Sequence, residues 1–233
     1  MKENLTELVF ILDRSGSMSG LESDTIGGYN SLIAKQKKEK GEAIVSTVLF
    51  DDRMKVIHNR MPIELVKKLT KKDYYVGGCT ALLDAVGETI DYIWSEHKLM
   101  KKDERPAKTL FVITTDGLEN ASKKYSFKDI KKMIEKQKEK HNWEFLFLGA
   151  NIDAIEVAGS MGINADRAAN YHCDSAGTAL NYSVLGAAIS RARKCENADM
   201  SVAFAGGAWK EEIEKDYEQR VDTRNVARYN NCD

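Results

Sequence analysis

Asp13, Ser15 and Ser17 stand at alternate positions in the stretch LVFILDRSGSMS, residues 8–19. One carboxylate and two hydroxyls so close together are hard oxygen donors. That set suits a hard divalent cation such as magnesium, which demands near-octahedral oxygen geometry and keeps several of its waters. Two more oxygen-bearing residues stand in comparable settings. Thr80 comes just after the glycine pair Gly77-Gly78 and directly before a helical pattern. Asp116, followed by Gly117, closes the apolar run Leu110–Ile113 and its two threonines. Thr80 has two readings: an N-cap of the coming helix, or a hydroxyl offered to an ion, with the glycines permitting close backbone approach. A D-x-S-x-S match in isolation is often only a strand end and a polar turn. Its recurrence with Thr80 and Asp116 in order along one chain makes it a candidate site.

The elements that must position these groups are legible from pattern. Leu8 to Leu12 is a short, wholly apolar run bounded by turn residues, as expected for a strand buried on both faces of a parallel sheet. Ser19-Gly20-Leu21-Glu22 reads as a capping box opening a helix, which runs to about Lys38 and ends at Gly41. Glu42 to Phe50 is a second strand and Arg53 to Asn59 a third. The Asp51-Asp52 turn between them leaves no room for a crossover helix, so the pair must be an antiparallel hairpin with strand three at an edge. His58 is expected there as a half-exposed strand residue. Further strands are expected over Ala107–Thr115, Trp143–Leu148 and Asn170–Cys173. Helices are expected from Leu82, over Ser126–Lys140, over Asp153–Met161 and over Gly177–Arg193. In open α/β sheets, ligands bind in the crevice at the carboxyl ends of the strands. Asp13 and Asp116 both fall at such ends.

The chain of 233 residues suffices for one α/β domain and an appendage. The expected division is 1–197 for the domain and 198–233 for an appendage. In the latter, Trp209, Ile213, Tyr217 and Val221 form one narrow apolar stripe on a charged helix after Gly206-Gly207. A net charge of −1 supplies no field that would steer the chain toward nucleic acid or an anionic membrane. No signal peptide and no apolar run of membrane-spanning length can be read, so a cytoplasmic protein is expected. The four cysteines lack CxxC spacing, which speaks against disulfides and zinc. Cys79 is expected as a small buried filler.

Asp13-x-Ser15-x-Ser17, then a threonine after a glycine pair, then aspartate-glycine after a strand: in this order the chain closely resembles the von Willebrand factor A domain family. The resemblance runs from about Leu5 to Arg193. It implies an α/β fold, a doubly wound, Rossmann-like sheet of six mostly parallel strands in the order 3-2-1-4-5-6, with strand three antiparallel and helices on both faces. It also implies a metal-ion-dependent adhesion site made by Asp13, Ser15, Ser17, Thr80 and Asp116, holding Mg2+ or Mn2+. Ser15 and Ser17 would coordinate directly, and Thr80 directly or through water. Asp13 and Asp116 would hold coordinating waters or hydroxyls from behind, or bind directly. The implied function is a non-enzymatic, metal-dependent protein–protein interaction in which an Asp or Glu of the partner completes the metal shell. Intracellular bacterial-type members are often accessories to ATPase or stress-response machinery. An alternative is a magnesium-dependent hydrolase or phosphatase with Asp13 as phosphoryl acceptor. That pattern wants a second aspartate at position 15, where this chain has Ser15. His58, His97, His141 and His172 show no catalytic context.

Overall fold

The computed structural model describes residues 1–195 and 199–229, the last nine of these as backbone alone. Six strands form one sheet: β1 (Lys2–Asp13), β2 (Glu42–Phe50), β3 (Met54–Pro62), β4 (Pro106–Thr115), β5 (Glu144–Ala150) and β6 (Ala168–Tyr171). Their spatial order is β3-β2-β1-β4-β5-β6. Every neighbouring pair is parallel except β2 with β3. This is the doubly wound order with an antiparallel edge strand that the hairpin and the family resemblance led us to expect. The helices are α1 (Glu22–Gln36), α2 (Leu82–Leu99), α3 (Phe127–His141), α4 (Ala154–Ser160), α5 (Ser175–Lys194), the single turn α6 (Ser201–Phe204) and α7 (Glu211–Tyr229).

The continuous apolar run of β1 follows from this layering. Side chains alternate across a strand, so both faces must be apolar when both are covered. Leu8, Phe10 and Leu12 join the core formed with α1 and α5, whereas Val9 and Ile11 join the core formed with α2 and α3. Local signals place most ends. Gly41, at φ +88°, makes the left-handed turn from α1 into β2. Ser126 and Asp129 form a complete capping box at the start of α3. The box expected at Ser19 is absent: Leu21 occupies the cap position of α1 with no side-chain cap, and the Glu22 carboxylate instead accepts the Gly20 N–H at 2.9 Å.

Three other expectations change. Cys79 is exposed, not a buried filler. His58 is buried at 4% exposure, its Nδ1 3.1 Å from the Thr47 hydroxyl. The register of β2 against β3 shifts on both sides of Thr47. Such bulges re-aim side chains, and here His58 turns inward beside Tyr29, ring centroids 6.4 Å apart. Burial lowers the His58 pKa below its ordinary 6.5. Below that pH the unfolded chain takes a proton that the folded chain resists, so acidification weakens the fold across the window beneath about pH 6.5. Melting temperature should therefore decline with falling pH in that window, and less steeply in His58→Gln. Equal slopes would assign the decline to other groups.

The third correction concerns residues beyond 198. Met200, Phe204, Trp209 and Ile213 are all buried in the core on the α1 and α5 face. Gly206 and Gly207, both at positive φ, fold the chain back between α6 and α7. Trp209 Nε1 donates to the Asp166 carbonyl at 2.7 Å, and Lys210 Nζ donates to the Ala165 and Ala168 carbonyls at 2.9 and 2.6 Å. This part of the expected appendage belongs to the core. The boundary expected at 197 falls outside the described residues, as does the side chain of Val221. No described helix is long and apolar enough to cross a membrane.

Candidate metal centre

The five residues singled out by type and spacing lie at the carboxyl edge of the sheet, on three loops tied together by backbone hydrogen bonds. Asp13 ends β1 and Asp116 directly follows β4. Leaving β1, the Arg14 N–H donates to the Phe50 carbonyl at 2.8 Å, and the Gly16 N–H to the Gly78 carbonyl at 3.1 Å. In return the Gly77 N–H reaches the Arg14 carbonyl at 3.0 Å. Tyr74, fully buried, donates its hydroxyl to the Asp13 carbonyl at 2.5 Å. The segment before Thr80 is thus laced to the Asp13 turn.

Side chains continue the connection. The Ser15 and Ser17 hydroxyl oxygens are 3.1 Å apart, and Ser17 donates to Asp116 Oδ1 at 2.5 Å. Asp13 Oδ1 accepts the Ser15 N–H and Oδ2 accepts the Thr115 hydroxyl, both at 2.6 Å. Asp13, Ser15, Thr80 and Asp116 are buried, while Ser17 is exposed at the mouth. Burial raises the Asp13 pKa above its ordinary 3.8, the Thr115 and Ser15 hydrogen bonds oppose this, and the nearby Asp116 carboxylate adds to it. Thr80 bonds to none of the other four. It is held instead by Asn120, whose Oδ1 accepts the Thr80 N–H at 2.9 Å and whose N–H donates to the Thr80 carbonyl at 3.0 Å. The cap position of α2 is Ala81, so the N-cap reading of Thr80 is not realised. Gly117 lies between the loops: a Cβ built there would come 3.2 Å from the Ser17 hydroxyl and 3.5 Å from that of Thr80. The absent side chain leaves both hydroxyls room.

This donor set fits a hard divalent cation. Hydroxyls from two loops and one carboxylate oxygen share a small space, and a second carboxylate behind them holds the turn in shape. Among the described residues no three His, Cys, Asp or Glu side chains cluster as a metal site, so protein ligation here would draw on serine and threonine oxygens.

Several supporting residues were not foreseen. Glu119 accepts the Leu83 N–H with one oxygen and the Ala121 and Ser122 N–H groups with the other. It binds the loop after Asp116 to the start of α2. Cys173 donates its thiol to Asp116 Oδ2 at 3.3 Å. Asn120 and Glu119 carried a signal, being polar residues a few positions past Asp116-Gly117. Cys173 and Tyr74 carried none, because their partners are remote in sequence.

No family model and no curated protein matches the chain. Solved structures do. A von Willebrand factor type A structure from Catenulispora acidiphila superposes with a TM-score of 0.56 at 15% identity, over 82% of this chain and 43% of that one. The vWF domain of the type V pili tip protein Mfa5 from Porphyromonas gingivalis gives 0.57 at 9% identity, over 79% and 94%. Proximal thread matrix protein 1 from the mussel byssus, with a zinc-occupied MIDAS motif, gives 0.54 at 11%, over 79% and 46%. The chain thus matches less than half the length of the Catenulispora and mussel chains. Sheet order, antiparallel edge strand and superposition agree, and the fold of this chain is that of a von Willebrand factor A domain.

Proposed function

We propose that the chain is a divalent-cation-dependent protein-binding module whose cation is held by Asp13, Ser15, Ser17, Thr80 and Asp116. The observation that carries this reading is the continuous contact from Asp13 through Ser15 and Ser17 to Asp116 at the sheet's carboxyl edge. A zinc-occupied site of this kind in the mussel relative supports it. Mg2+ or Mn2+ is the expected ion, since the ligating atoms are hard oxygens. When bound, the cation supplies positive charge that a carboxylate from outside can complete. Ser15, Ser17 and Thr80 contribute neutral hydroxyls and so leave much of that charge uncancelled. Asp13, with both oxygens engaged by Ser15 and Thr115, holds the turn rigid. The partner then contributes an Asp or Glu. On the family resemblance, the setting is a cytoplasmic accessory to an ATPase or stress-response complex.

The nucleophile reading of Asp13 is disfavoured by the same contacts, since both its oxygens accept protein hydrogen bonds in a buried position. Calorimetric titration of chelator-stripped protein with Mg2+ and Mn2+ should show one site, absent in Ser15→Ala/Ser17→Ala. Asp13→Asn should weaken it by about 10- to 100-fold, the usual effect of losing a carboxylate that orients ligands. Full affinity in the double serine variant would overturn the assignment. Partner capture should vanish with chelator and in Asp116→Ala.

A further inference from the structure

At the opposite end of the sheet, where β1 and β4 begin, a cavity of about 270 Å³ opens between the C-terminal ends of α2 and α3. Trp94, His141 and Trp143 line it, the Trp94 and His141 rings 4.1 Å apart between centroids and Trp143 almost wholly buried, and Lys102, Arg105 and Lys140 stand around it. No carboxylate lines it. Arg14, Arg60, Arg167 and Lys210 each meet a carboxylate, whereas the buried Lys108 and Arg193 are held by backbone carbonyls. Lys102, Arg105 and Lys140 meet no carboxylate among the described residues, although Arg105 is half-buried. Its Nε donates to the Met100 carbonyl at 3.2 Å, which orients the guanidinium. Burial lowers the His141 pKa, and His97, Arg105, Lys136 and Lys140 each add to that.

Lysines at the end of α3 complement its helix dipole, and Arg105, on the loop after α2, donates to the carbonyl of Met100, the residue that caps that helix; Lys102 stands on the same loop. Cations from two separate elements around flat rings match a ligand that is both anionic and planar. The volume lies just under the ≈ 300 Å³ at which ordinary ligand pockets begin, which limits the ligand to one small ring system and one charged group. We propose that this cavity binds a small organic phosphate carrying a planar ring, of the mononucleotide class. The site is remote from the cation centre and does not depend on it.

Two of the chain's three tryptophans, Trp94 and Trp143, line the cavity, while Trp209 lies in the core on the other face of the sheet. Intrinsic fluorescence, excited at the red edge of the indole band where adenine does not absorb, therefore reports on it. Titration of the full chain with adenosine 5′-monophosphate should give a saturable change. Adenosine, lacking the phosphate, and inorganic phosphate, lacking the ring, should each bind at least about tenfold more weakly, as loss of a charged or stacking contact requires. Lys102→Glu/Lys140→Glu, which alters only exposed side chains, should abolish the response. Three outcomes would overturn the proposal: no saturable change with the nucleotide, a response unaltered by the double charge reversal, or inorganic phosphate binding as tightly as the nucleotide. The last would reduce the cavity to a general anion patch.

Discussion

A chain cut after Asn197 is expected to lose its stable fold. The cut removes Met200, Phe204, Trp209 and Ile213 from the core on the α1 and α5 face. Burying one such side chain stabilises by about 1.5–3 kcal/mol, so four contribute about 6–12 kcal/mol. Domains of this kind are stable by only about 5–15 kcal/mol in all. Polar losses add to this. The Ala165, Asp166 and Ala168 carbonyls lose the Lys210 and Trp209 donors. The Arg167 guanidinium, which donates to the Phe204 and Ser201 carbonyls at 3.0 Å, loses both. All of this falls on and beside β6, an edge strand of the sheet, and an uncovered apolar edge is an aggregation template. The truncated protein should be insoluble, or soluble with strong dye binding and no cooperative melt. A two-state melt within a few degrees of the full chain would restore the reading of these residues as an appendage.

Replacing Glu7 by Gln is expected to destabilise the protein by about 3–5 kcal/mol, the usual loss when one partner of a buried charge cluster is removed. Glu7 sits within β1 at 0% exposure. Its Oε1 accepts from Arg60 Nε at 2.7 Å and its Oε2 from His97 Nε2 at 2.5 Å. Arg60 also reaches Glu96 at 3.5 Å, but Glu96 is a third exposed. A glutamine there keeps the shape and loses the charge, and its amide can turn at most one oxygen toward two donors. The half-buried guanidinium is then left with Glu96 at 3.5 Å as its partner of opposite sign. Chemical denaturation would measure the change as a lower midpoint with an unaltered slope. A loss below about 1 kcal/mol would mean that water already compensates Arg60. Cation binding at the far end of the sheet should survive in the folded fraction, which separates this cluster from the candidate centre.

The two effects differ in how much of them the sequence foretold. Trp209 and Ile213 were legible as an apolar stripe, but a stripe shows that a face must be covered and not what covers it. Glu7 is one acidic residue in an apolar strand, and neither Arg60 nor His97 stands near it in sequence. His58 was misplaced because its inward turn depends on where β2 and β3 slip in register. Alternation within β3 alone does not record that slip.

What the sequence determined by itself was whatever depends on neighbours along the chain. The unbroken apolar run of Leu8 to Leu12 requires cover on both faces, and the two-residue Asp51-Asp52 turn forces an antiparallel hairpin. Oxygen donors placed just past buried strands, Asp13, Ser15, Ser17 and Asp116, must emerge at the sheet's carboxyl edge, whereas Thr80 was singled out by the glycine pair before it and the helical pattern after it. Tertiary structure alone decided which remote groups meet. It brought Ser17 to Asp116, Asn120 to Thr80, Cys173 behind Asp116, Trp209 onto the turn before β6, and Lys102 and Arg105 around the aromatic rings beside Lys140. Backbone conformation is set by local sterics and by each residue's own hydrogen-bonding groups, so it is written in short windows. Contacts between distant segments are settled only when competing packings of the whole chain are compared, because burial rewards any apolar partner and charge any opposite charge.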